Sequence, residues 1–212
     1  MEVSTADVPR IIIDAGPSLN FFALHQERLL FGTLGPLATP EQVVTEISNK
    51  ARTSQERFGH AADVLRKLPD KYWLVLSDEI TSDLDDAIQI ITRIPTNDRI
   101  HNQQDLGEVM VVSHALVQAR AGLHVTVLID DGDGQRLAAN AARIINSERE
   151  DSPTAGSITV ISTIDVLTIA CENAQISTKA DLKALYLRIR SLDDGLMPIE
   201  STGLLKLDCW SR

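Results

Sequence analysis

The chain reads as an α/β protein, a three-layer α/β/α arrangement around a parallel sheet of about five strands. Three observations predict this. Short continuous runs of β-branched and apolar residues, such as Ile11-Ile12-Ile13 and Val125-Thr126-Val127-Leu128-Ile129, read as strands buried on both faces. Stretches with helical periodicity separate these runs. No internal repeat and no long linker divides the sequence, so residues 1–212 form one domain.

The elements follow in order. Residues 10–14 form the first strand. Pro17 and Ser18 open a helix over 19–24, since proline is tolerated in a first helical turn. Leu37–Thr39 form a short strand, and Pro40 opens a helix over 41–50. Residues 55–68 are amphipathic, with Phe58, Ala61, Ala62, Leu65 and Leu68 on one side. Residues 72–76 form a strand. A helix starts at Ser82 and ends before Pro95, with Asp83, Asp85 and Asp86 as its start and solvated face. The polar stretch 96–104 reads as a loop. Residues 105–120 form a helix apolar nearly all round, hence buried, and His114 packs within it. Gly122 ends that helix. Residues 125–129 form a strand, and 134–146 a helix. Residues 147–156 read as a surface loop, 159–161 as a strand, and 163–173 and 178–192 as two final helices.

The 212 residues include 43% hydrophobic and only 4% aromatic residues, so the core rests on Ile, Leu, Val and Ala. No apolar run nears the ~20 residues of a membrane span. The start, Met1-Glu2-Val3-Ser4, lacks the basic and apolar stretches of a signal peptide. Cys171 and Cys209 have no metal or redox spacing and read as reduced thiols of a cytoplasmic protein. The formal charge of −10 argues against a simple nucleic-acid binder but not against an enzyme with a clustered acidic site. It also suits a basic protein partner.

Acids close two of the strand runs. Asp14 follows three isoleucines, and Asp130, Asp131 and Asp133 follow Val125–Ile129. Glu46 and Glu108 lie on helical stretches between them. Ligands of open α/β sheets bind at the carboxyl ends of strands. Carboxylates gathered there repel one another unless a hard divalent cation, Mg²⁺ or Mn²⁺, joins them. Each acid also has an ordinary reading. Asp14 can cap the following helix. Glu46 can pair with Lys50 one turn on. Asp105 and Glu108 have capping-box spacing, with Asp105 the cap. However, Glu108 shares a helical face with Val111, Val112, Ala115 and Ala119, where a carboxylate needs a cation or donors. The 130–133 stretch suits a turn, yet holds more acids than a turn requires. Asp131 is its leading ligand, with Asp130 and Asp133 as auxiliaries.

Four segments in order carry a resemblance: Ile12-Ile13-Asp14-Ala15-Gly16-Pro17, Thr39-Pro40-Glu41-Gln42-Val43-Val44-Thr45-Glu46, Leu106-Gly107-Glu108, and Leu128-Ile129-Asp130-Asp131-Gly132-Asp133. Together with Ile161–Leu167 they resemble the PIN domain, and within it the VapC-like toxins. The resemblance implies a Mg²⁺- or Mn²⁺-dependent endoribonuclease, the toxin of a toxin–antitoxin pair. It implies catalytic Asp14, Glu46, Glu108 and Asp131, an RNA substrate, a small antitoxin partner and a homodimer. A housekeeping RNA-processing nuclease and a non-catalytic PIN-like binding module are the alternatives. The chain departs from the family at Gly16, where many relatives have Ser or Thr, at Glu108-Val109-Met110, and in a longer 80–104 segment. Lys50, Arg52, Arg57 and Arg136, with Arg143, are the phosphate-contact candidates. A haloacid-dehalogenase-type phosphatase would need a second Asp at position 16, and a receiver domain would need a different order of acids.

Overall fold

The computed structural model describes residues 9–193 and 195–211. The four N-terminal residues read for a leader lie outside them. Five strands form one all-parallel sheet: β1 (Ile11–Ile13), β2 (Leu37–Pro40), β3 (Trp73–Leu76), β4 (His124–Leu128) and β5 (Ser157–Ile161). Their spatial order is β3-β2-β1-β4-β5. Ile12 stands level with Ala38 on one side and Val127 on the other. The sheet therefore grows in opposite directions from β1, and the topological switch lies between β1 and β4.

Among the described residues, ten helices surround it: α1 (Ala15–Ala23), α2 (Glu27–Leu34), α3 (Glu41–Thr53), α4 (Gln55–Lys67), α5 (Ser82–Thr92), α6 (Thr96–His101), α7 (Leu106–Arg120), α8 (Gly132–Asp151), α9 (Thr163–Glu172) and α10 (Lys179–Leu192). Parallel neighbours need crossovers, and right-handed crossovers place helices on both faces. α7 packs along β1, β2, β4 and β5 and against α8. α1 touches α2 and α10, and α2 touches α9. α7 is buried as expected, from Leu106 to Ala119. Gly122, at φ 95°, follows it in a conformation that favours glycine. Aliphatic residues dominate the core, with Tyr186, Phe21 and Phe22 the largest of its fully buried side chains. Among the described residues, no helix is long and apolar enough to cross a membrane.

Several expectations are corrected. α1 begins at Ala15, not beyond Pro17, because the Asp14 carboxylate caps it by accepting from the Gly16 amide. Pro17 fits inside the first turn, where amides have no intrahelical acceptor. The stretch 96–104 is not all loop. α6 forms because Thr96 and Arg99 are buried, and the Arg99 guanidinium donates to the carbonyls of Asn102 and Gln104 at 2.6 and 2.8 Å. α8 begins at Gly132, and the predicted loop from Ser147 starts only at Ser152. The last turn of α8 is anchored where Arg120 forks onto Glu148 at 2.6 and 3.0 Å. α2 was not anticipated, nor were the 3₁₀ turns at Ile199–Ser201, Leu204–Lys206 and Asp208–Ser211. His114 is half-buried and also bonds to Asp78, 2.8 Å away.

Candidate active site

The carboxyl ends of β1 and β4 open into a cavity of about 760 Å³. Asp14 sits at its head. Its amide donates to the Leu128 carbonyl at 3.0 Å, tying it to β4. The buried Thr39 hydroxyl donates to the Ile13 carbonyl at 3.1 Å, tying the same strand end to β2. The Asp14 side chain is only 6% exposed. Its Oδ2 accepts from Gly16, while Oδ1 is buried with no hydrogen-bond partner. Burial, with Glu46 and Asp130 nearby, raises its pKa to about 6 despite the helix-start amides.

Glu46, on α3, reaches across to α7. It accepts from the Gly107 amide at 2.9 Å and the Gln42 side chain at 3.2 Å. Among the described residues it forms no ion pair with Lys50. Burial raises its pKa. Glu108, in the first turn of α7, lies against the start of α8: a Cβ on Gly134 would stand 2.9 Å from its carboxyl carbon. Burial, then the charges of Asp14, Asp131, Asp105 and Glu46, push its pKa up to about 8. These are the marks of carboxylates crowded in a poorly solvated space.

Asp131 caps α8, accepting from the amides of Asp133 and Gly134 at 2.7 and 3.4 Å. It lines the cavity beside Asp130. Asp130 is half-buried, and its two oxygens accept from the Thr163 amide and hydroxyl at 2.7 and 2.6 Å. Burial again raises its pKa, to about 6, although those bonds oppose the shift. Asp130 therefore positions the β4 end against α9.

Expectations about the site are corrected at Asp133, at Asp105 and at the arginines. Asp133 does not line the cavity. It is exposed in the first turn of α8 and pairs with Arg136. Arg136 is thereby occupied. Arg52 faces a separate shallow depression with Gln55 and His60, and Arg57 donates to the Leu192 carbonyl. Asp105 is not a side-chain cap. It holds a left-handed conformation, φ 53°, and adds its carboxylate to the cavity wall. Of the basic candidates, only Lys50 lines the cavity. Arg143 lies on α8, bonded to Asn140.

The cavity also holds residues that the sequence did not indicate. Asp193, just past α10, accepts from Asn20 of α1 at 2.9 Å, and both line the cavity. The acidic turn after α10 was its only trace, and it follows no strand run.

The donor set suits a hard cation. It is carboxylate oxygen throughout, one buried oxygen lacks a partner, and burial first, then neighbouring charge, raises the pKa values of Asp14, Glu46, Glu108 and Asp130. Among the described residues, no three His, Cys, Asp or Glu side chains are gathered tightly enough to grip an ion by themselves. Comparison with models of protein families, with curated proteins and with solved structures found no match.

Proposed function

We propose that this chain is a Mg²⁺- or Mn²⁺-dependent endoribonuclease of the PIN type. The buried, unpartnered Oδ1 of Asp14 carries the reading. It stands at the head of a cavity shared with Glu46, Glu108 and Asp131, at the switch point of a parallel sheet. A bare carboxylate oxygen in such a place is costly unless a cation or donor arrives.

Of Asp14, Glu108 and Asp131, one or two would hold the cation directly, with water and substrate phosphate supplying the rest of its oxygens. When bound, it supplies neutralisation of phosphate charge and activation of water. The rest follows from the chain's own residues. Gln42 and the Gly107 amide hold Glu46 at the edge of the cavity, where it can orient an attacking water. Asp130, fixed by Thr163, sets the position of Asp131. Lys50 offers the one cation of the wall to a phosphate.

A free nuclease of this kind would damage its own host. The toxin reading therefore adds an antitoxin whose Arg or Lys enters the acidic cavity. A homodimer and a cytoplasmic location belong to the same reading. The test is incubation of purified protein with total RNA, with Mg²⁺ or with EDTA. Cleavage that requires the metal and is lost in Asp14→Asn is expected. Full activity of Asp14→Asn would sink the assignment.

A further inference from the structure

The side of α3 facing the cavity is a single stripe. Gln42, Glu46, Asn49, Lys50 and Thr53 recur at helical spacing and all line it. The stripe is polarised. Its N-terminal end faces the carboxylates, and its C-terminal end carries Asn49, Lys50 and Thr53. Phe58, Leu192 and Leu196 also line the cavity; Phe58 and Leu196 are largely buried, and the Arg57 guanidinium lies over the Phe58 ring, 5.2 Å from its centroid.

Charge is scarce for a polyanion. Among the described residues, Lys50 is the only Lys or Arg lining the cavity. Arg57 is turned to the Leu192 carbonyl and Arg136 to Asp133. Proteins that bind long nucleic acids draw affinity from many phosphate contacts, each releasing counterions. This chain carries −10 overall and offers about one such contact in the cavity. A long strand would gain little from Lys50 and meet repulsion beyond it. The volume of about 760 Å³ lies within the range of sites that enclose small ligands.

We infer that the cavity takes a short single strand or the free end of one, laid along α3. One phosphate meets Lys50, and a neighbouring phosphodiester lies at the Asp14 end. This rests on the nuclease reading for its chemistry, and on the cavity alone for its ligand.

The test separates the two. A dinucleotide, a pentanucleotide and a transcript of about a hundred nucleotides are compared between ~50 and ~200 mM salt. Cleavage is followed with Mn²⁺, and binding by competition against a fluorescent pentanucleotide with Ca²⁺ in place of Mn²⁺. The short strands should be bound and cut at least as well as the transcript, per molecule. The slope of log affinity against log salt should lie near −1, the value of about one phosphate contact. Lys50→Gln should weaken pentanucleotide binding about tenfold and flatten that slope, with melting temperature unchanged. A transcript preferred over the short strands, or a slope of several, overturns the short-strand inference and leaves the nuclease reading intact. Short strands bound with that slope but never cut leave the inference standing and remove the nuclease. If no strand of any length binds, the inference falls.

Discussion

Glu46 and Glu108 rest where they do because two glycines leave room for them. A Cβ on Gly107 would meet Glu46 Oε2 at 2.5 Å, and one on Gly134 would meet Glu108 Oε2 at 2.9 Å. Gly107 lies inside α7, where alanine is the better helix former by about 1 kcal/mol. Gly107→Ala should therefore cost little stability while displacing Glu46 and removing its amide contact. RNA cleavage should fall about tenfold or more, with a nearly unchanged melting temperature. Equal losses of both would mean that the site reading of Glu46 is wrong. Glu108 gives a second check. A carboxyl whose pKa rises on folding binds an extra proton in the native state, so its stabilisation is complete below the unfolded value and is lost as pH rises through the folded one. For Glu108 that window runs from 4.5 to about 8. Asp14 and Asp130 act in the same direction up to about 6. In EDTA the melting temperature should fall as the solution moves from mildly acidic to mildly basic, and Glu108→Gln should flatten the upper part of that fall. A flat wild-type profile would contradict the crowding. Asp14 and Asp131 were legible in the sequence because a carboxylate directly after a buried strand is conspicuous. Asp193 was not, since it reaches the cavity only through the return of α10 across the fold.

At the level of elements, the sheet was readable almost strand by strand, and most plainly at β1 and β4, inner strands that are continuous, largely buried runs of aliphatic and β-branched residues, whereas the edge strand β3 leaves Leu74 and Val75 exposed. Helix ends were less readable. The start of α8 is set by Asp131, whose carboxylate does two things at once, capping the helix and charging the cavity. The two roles can be pulled apart. Asn is as good a cap as Asp, whereas Ala is not, at a cost of about 1 kcal/mol. Asp131→Asn should keep the cap, hold or raise the melting temperature in EDTA, and lose cleavage. Asp131→Ala should lose cleavage and also melt lower by roughly 2–4 °C. If Asp131→Asn cuts RNA normally, Asp131 is a cap and nothing more. The α6 segment escaped sequence reading for a physical reason. Its turn depends on the buried Arg99 guanidinium bonding to two carbonyls past the helix end, a tertiary arrangement that six largely polar residues do not announce. The same bonds hold the loop that presents Gln103 and Asp105 to the cavity.

For the whole molecule, the site amounts to an electrostatic strain that folding imposes. Twenty basic residues stand against thirty acidic ones. Asp14, Glu46, Asp105, Glu108, Asp130, Asp131 and Asp193 meet around one cavity that holds a single lysine. A cation that binds this arrangement and not the unfolded chain stabilises the fold by mass action, by about 2.7 kcal/mol at a hundred times its dissociation constant. For a chain of this size that is a rise in melting temperature of roughly 5–10 °C. Protons compete for the same oxygens, so the rise should be largest above the raised pKa of Glu108, about 8, and should shrink toward the acid side. Asp14→Asn removes one of the repelling charges, and its amide can donate to a neighbouring carboxylate. That variant should melt higher than the wild type in EDTA and respond weakly to Mn²⁺ or Mg²⁺. Differential scanning calorimetry across pH, with each metal and with EDTA, reads all of these shifts. A wild-type melting temperature indifferent to millimolar Mn²⁺ at mildly basic pH would mean that the crowded carboxylates are relieved by protons alone. The metal-dependent reading of the cavity would then be lost.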